Sequence, residues 1–216
     1  MNGQPLAKSL ESWPFCSHSE GLMRGSACAA IILGKPIDSI LRGDSVLGIL
    51  KSITLTNDAG LKPNFMSPSI EGQQLVIERA IKQSEVPISS IPFWECHAAG
   101  TTIGDSVELS ALNRAFFKEE NFKNEEKINP LFIGSCKANI GHSFAASGIC
   151  SIIKILKMLE TGLLPPQPLP QNNAKYADLL NSFNGRLIVH SGSEPKELLT
   201  SKTDVNKFIF KPQYSL

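Results

Sequence analysis

The sequence predicts an α/β layered domain around a largely parallel sheet. Three observations point there: short apolar runs of strand type alternate with longer runs of helical periodicity, the helical runs carry start and stop signals, and Gly or Pro punctuates the ends of the strands.

Taken in order, ACAAIILGKP (27–36) is continuously apolar and reads as a buried strand stopped by Gly34 and Pro36, followed by a short helical turn. SVLGILKSITLTND (45–58) alternates through Leu47, Ile49, Ile53 and Leu55, which predicts a long strand with one solvated face. Ser69 opens a helix in which Ile70, Leu75, Val76, Ala80 and Ile81 recur at near-helical spacing. IPFWE (91–95) is a short buried strand, and Asp105 is placed to cap a helix over 106–118 with Val107, Leu109, Leu112 and Phe116 inward. LFIGS (131–135) is another strand. From Ala145, the residues Ile149, Ile152, Ile153, Leu156 and Leu159 make an apolar stripe that ends at Gly162 and Pro165-Pro166. A last strand lies near 186–190; the charged stretch 117–130 reads as a solvated loop, and 191–216 has no core pattern.

With 216 residues and 42% hydrophobic content the chain can bury one large core or two modest ones. Its 21 basic and 20 acidic residues leave a net charge of +1, which gives no electrostatic case for nucleic acid or an anionic membrane. Five scattered cysteines without a CxxC pair argue against a disulfide framework and for a reducing compartment, the cytoplasm by default. The start has no apolar leader, and no apolar run approaches a membrane span.

The chemistry concentrates after two predicted strands. His97 follows IPFWE and His142 follows LFIGS, and in parallel α/β sheets ligands collect beyond the carboxyl ends of strands. Short residues flank His97, while Thr101 and Thr102 offer hydroxyls to an extended polar ligand; Lys137 and Asn139 offer donors beside His142. Cys96, His97, Cys136 and His142 do not match zinc spacing, so no metal site is expected.

ECHAAGTTIGDSVE (95–108) resembles the E-x-H-G-T-G-T-x-x-G-D-x-x-E signature of β-ketoacyl synthases, and CKANIGHSFAASG (136–148) resembles their K-x-N-x-G-H-x-x-x-A-x-G signature. WPFCSHSEGLMRGSACAAIIL is similar to F-D-x-x-A-x-G-x-x-R-G-E-G with its strand, GDSVLGILKSITLTNDAG to the family strand that begins G-D, and SPSIEGQ to P-S-x-E-G-Q. The resemblance covers about residues 12–190. It implies a thiolase-like layered fold, present incompletely: the end of the N-terminal ketosynthase half over 1–43, the C-terminal half over 44–190, and a divergent tail over 191–216.

By the same resemblance the expected reaction is the decarboxylating Claisen condensation of polyketide or fatty acid assembly. No cofactor is expected to be bound; substrates ride on the phosphopantetheine of an acyl carrier protein. The implied partners are that carrier and either a second ketosynthase or the remainder of a multidomain synthase. His97 and His142 would hold the enolate oxygen, Lys137 would order the site, and Thr101 would line the pantetheine tunnel. Two converging imidazole donors act on charge that exists only after decarboxylation, which is where binding lowers a barrier.

The family nucleophile, a cysteine in a T-A-C-S-S-S-like elbow, has no counterpart in these 216 residues. GSACAA (25–30) aligns elsewhere, and Cys28 reads as a buried structural thiol. Ser26 stands where a glutamate is usual, Ala98 and Ala99 where Gly and Thr are, and Ser106 where Pro is common. DVNKFIFKPQYSL is faintly similar to the family's V-N-S-F-G-F-G-G-T-N loop, which would set Ile209, Lys211 and Pro212 at glycine positions. The expectation is a fragment inactive alone; the alternative is a non-catalytic ketosynthase-like scaffold or pairing subunit.

Overall fold

A computed structural model describes residues 6–7, 12–17, 19–62, 67–118, 129–169, 178–198 and 209–210. Its elements are α1 (Pro36–Arg42), α2 (Ile70–Ser84), β1 (Phe93–Glu95), α3 (Thr102–Phe116), β2 (Leu131–Gly134), α4 (Lys137–Ile140), α5 (Ser147–Thr161), β3 (Leu163–Leu164), α6 (Asp178–Ser182), β4 (Leu187–Val189), β5 (Lys196–Glu197) and β6 (Ile209–Phe210).

The three central short runs pair as expected. A parallel sheet of order β4-β2-β1-β6 sets Phe93 opposite Phe132, Glu95 opposite Gly134 and Phe132 opposite Ile188. Every residue of β1 is buried, as befits a parallel strand covered on both faces. Trp94 faces α2 and α3, packed edge-on against Phe116 at 5.3 Å, with Ile77, Leu109 and Leu112 in the same cluster. Phe93 faces the other way, onto Ile155 and Met158 of α5.

Helix α2 begins where its cap predicts, the Ser69 hydroxyl accepting from Gly72 N–H at 3.1 Å. Helix α3 starts four residues earlier than expected, because Asp105 does not cap it. Asp105 sits buried in the first turn and accepts N–H groups of Phe15 (2.9 Å) and Thr101 (3.3 Å), tying the 12–17 segment to the helix.

Two expected strands do not form. Residues 27–35 form no strand with a partner among the described residues, Ile32 is fully exposed, and Cys28 is exposed rather than buried. Residues 44–58 likewise have no strand partner among the described residues. The alternation is there but inverted. Ser52 and Thr54 turn toward α2, bonding Ala80 O (2.9 Å) and Gln83 Oε1 (3.1 Å), and Gly48 lies against Leu156 and Leu159 of α5. The expected inward set, Leu47, Ile49, Ile53 and Leu55, faces solvent, Leu55 at 65% exposure.

Helix α5 shows the same mismatch. Its buried stripe is Ser147, Ser151, Ile155 and Met158, whereas the apolar stripe Ile149, Ile152, Ile153 and Leu156 is half-buried. The described residues leave much of the apolar patterning of these segments uncovered. In the tail, where no core pattern was expected, β6 adds an edge to the sheet beside β1. Most of the expected 117–130 loop, together with Lys211 and Pro212, lies outside the described residues.

Candidate active site

Strands β1 and β2 end side by side, and the two histidine loops leave from those ends. The His97 and His142 rings stand 5.5 Å apart between centroids at 77°, an edge-on pair. Both are half-buried.

Each ring is fixed through its backbone. The two oxygens of buried Glu108, on α3, accept the N–H groups of His97 and Ala98, each at 2.8 Å. On the other side, His142 N–H donates to Met23 O at 2.7 Å and His142 O accepts from Gly25 N–H at 3.0 Å. That close crossing explains two small residues. Gly141 lies at φ +68 against Met23, and a side chain at Gly25 would strike the Ile140 carbonyl.

The tautomer of His142 follows from its neighbours. Phe144 N–H donates to His142 Nδ1 at 3.0 Å, so Nδ1 is an acceptor and the ring proton sits on Nε2; the Ser147 hydroxyl reaches the same Nδ1 at 3.2 Å. The entrance of α5 thus holds the ring directly. Burial, then the charge of Lys137, lowers the His142 pKa below the ordinary 6.5. His142 is a neutral Nε2–H donor at physiological pH.

Lys137, on α4, is 1% exposed, a rare setting for an ammonium. Thr101 precedes α3, its backbone bridging to Glu20. The Thr102 hydroxyl is already committed, donating to Ser19 O at 3.0 Å, and Asn139 is exposed on α4. So the structure brings His97 and His142 together, with the charge of Lys137 acting on His142; it engages Thr102 structurally and leaves Asn139 at the surface. Among the described residues no three His, Cys, Asp or Glu side chains gather as a metal site, and no helix is long and apolar enough to cross a membrane.

Four residues take roles here that the sequence did not give them. Glu95 and Glu108 are buried carboxylates that hold the loops, and Asp105, pushed up to about 7 mainly by burial, holds Phe15. The available signal was their spacing: Asp105 and Glu108 are three apart on one helix face, and Glu95 lies two before His97. Phe144 is the fourth. It adopts φ +48, its ring lies 5.0 Å from His142, and the Arg24 guanidinium sits 5.9 Å over it.

A layered α/β sheet with two histidine loops at the strand ends defines a ketosynthase-type domain of thiolase-like fold, and solved structures agree. An oxazolomycin ketosynthase domain from Streptomyces albus superposes with TM-score 0.80 at 22% identity, over 91% of this chain and 32% of that one. A ketosynthase from module 1 of the bacillaene synthase of Bacillus amyloliquefaciens gives 0.75 at 26% identity, over 92% and 36%. Residues 47–169, which contain both histidine motifs, match the model of the beta-ketoacyl synthase C-terminal domain; the chain belongs to that family. Curated relatives include polyketide synthases. The highly reducing polyketide synthase srdA of Neurospora crassa is 33% identical over 215 residues, 96% of this chain and 9% of the relative. The compactin diketide synthase mlcB of Penicillium citrinum is 33% identical over 201 residues, 92% and 7%. The chain therefore spans less than a tenth of those relatives' length and about a third of the solved ketosynthase chains.

Proposed function

We propose that this chain supplies the paired-histidine half of a ketosynthase site for polyketide or fatty acid assembly, and that it condenses only when joined to or paired with polypeptide carrying the nucleophilic cysteine. The observation that carries the reading is the His97–His142 pair at 5.5 Å, with His142 held as a neutral Nε2–H donor.

In the proposed reaction an acyl group waits on the cysteine as a thioester, and a malonyl thioester arrives on the phosphopantetheine of an acyl carrier protein. Its carboxylate leaves as carbon dioxide, the electron pair passes into an enolate, and the enolate oxygen lies on the two ring N–H donors. The enolate carbon attacks the acyl carbonyl; the new C–C bond forms as the C–S bond to cysteine breaks. Fixed donors aimed at charge that appears only along the reaction stabilise its transition state selectively. A neutral His142 suits this role, because an imidazolium would also bind the ground-state carboxylate. Lys137 contributes by disfavouring that imidazolium, and Thr101 is the remaining hydroxyl for the pantetheine arm.

The exposed apolar residues of 27–41 and 46–55 favour a covered state, whether the cover is a second ketosynthase or the rest of a multidomain synthase. The five free cysteines suit the cytoplasm. A second reading, a non-catalytic pairing subunit, is favoured by one observation. Ala98 is fully buried at φ +23, where the family motif has glycine, so the loop beside His97 carries strain.

The test is a condensation assay by mass spectrometry, using acyl and malonyl carrier thioesters. The chain alone should give no β-ketoacyl product above background; the chain with the cysteine-bearing part of a ketosynthase domain should give product, abolished by His97→Ala or His142→Ala. Condensation by the chain alone would overturn the dependence on a partner, and a silent but stable complex would establish the pairing subunit instead.

A further inference from the structure

Glu95 is 1% exposed at the end of β1, with no role in the chemistry above. Its two oxygens are both engaged. One accepts the Cys136 backbone N–H at 2.6 Å; the other meets Lys154 Nζ, from α5, at 2.7 Å.

The chain positions of these contacts matter. Cys136 begins the rigid turn that carries His142: Ile140 N–H and Gly141 N–H close onto Cys136 O and Lys137 O at 3.1 and 3.0 Å, and His142 follows directly. Glu95 stands two residues before His97, whose backbone is held by Glu108 at 2.8 Å. One side chain therefore links the two histidine loops across the sheet. The Ser135 hydroxyl makes a second, weaker link, to His97 O (3.3 Å) and Ala98 O (3.2 Å).

The Glu95–Lys154 contact is built into its surroundings. Gly134 leaves room for it, since a Cβ there would stand 3.2 Å from Lys154 Nζ and 3.3 Å from the Phe93 ring. The Lys154 ammonium also lies 5.1 Å over that ring. A buried ion pair of this kind is a poor source of stability, because desolvation of both charges offsets their attraction and apolar residues of similar size do as well. What an apolar pair cannot do is accept the Cys136 N–H.

We propose that Glu95, oriented by Lys154, is a positioning residue that sets the spacing of the His97 and His142 rings. The inference rests on the paired-histidine reading for its consequence, but its test reads ring geometry rather than condensation. A failed condensation assay leaves it standing.

The experiment is NMR of the chain with labelled imidazoles, following the ring-to-ring nuclear Overhauser effect between His97 and His142 and the Nδ1 and Nε2 shifts of His142. Glu95→Gln keeps an oxygen for Cys136 N–H and should retain both signatures. Glu95→Leu should lose the inter-ring effect by at least half and shift the His142 nitrogens, with the fold preserved by circular dichroism. Should that variant not fold, Glu95→Leu/Lys154→Met removes both charges together and should fold while still losing the ring contact. Retention of the wild-type inter-ring effect in a folded Leu variant would overturn the proposal, as would its loss in Glu95→Gln.

Discussion

The sheet core and the segments 27–35 and 44–58 all carry apolar patterns that predict strands, and they meet opposite fates. Around β1 and β2 each apolar side chain meets a neighbour from the same chain: Trp94 is fully buried on Phe116, and Phe93 on α5. Along 44–58 the small and polar positions touch α2 and α5, while Leu47, Ile49, Ile53 and Leu55 point outward. The difference teaches that a hydrophobic pattern records the surface a segment evolved to meet, and that burial follows only where that surface is present. The histidine pair belongs to the first region, so its geometry stands without the second being covered.

The largest expected effect tests that contrast. Trp94→Ala should cost about 3–5 kcal/mol in urea unfolding, since it empties a packed aromatic site. Glu108→Ala comes next. It leaves the buried N–H groups of His97 and Ala98 without their carboxylate, and a loss of about 2–4 kcal/mol is expected by the same measurement. A change below 1 kcal/mol would mean that the His97 loop is not held through Glu108.

Smaller and opposite in sign, Ala98→Gly should raise stability by about 1 kcal/mol, because glycine accepts the positive φ at that position. Thermal melting decides it; a lower melting point would show that the loop is not strained there. The His142 titration follows. Its pKa in the folded chain is lowered, so the unfolded state takes up the proton first as pH falls. Its contribution to stability is complete above about 6.5 and is lost as pH drops through the folded value. NMR titration should place the midpoint below 6.5, and Lys137→Met should raise it. Smallest of all, Ile53→Ser should change the stability of the chain alone by no more than about 0.5 kcal/mol, while weakening its association with a cysteine-bearing partner.

The legible parts of the fold were those set by local chemistry. Phe93–Glu95, Leu131–Gly134 and Leu187–Val189 were visible as short apolar runs, and the α2 start was visible through the Ser69 cap. The His97 and His142 loops were visible because they follow such strands. Asp105 was misread because a cap and a buried tether use the same residue type, and only the fold reveals that its partner is Phe15, ninety positions away. Residues 44–58 were misread because alternation tells that two faces differ, not which face this chain covers. Glu95 escaped notice because its partners, Cys136 and Lys154, lie 41 and 59 positions away.

The most direct test of the central claim is hydrogen–deuterium exchange on the chain alone and then with the cysteine-bearing part of a ketosynthase domain at saturating concentration. Alone, amides of 93–95 and 131–134 should exchange slowly and those of 44–58 quickly. On mixing, 44–58 should slow by about 100-fold at a partner concentration near one hundred times the dissociation constant, with 93–95 little changed. Condensing activity with 44–58 still exchanging freely would contradict the account.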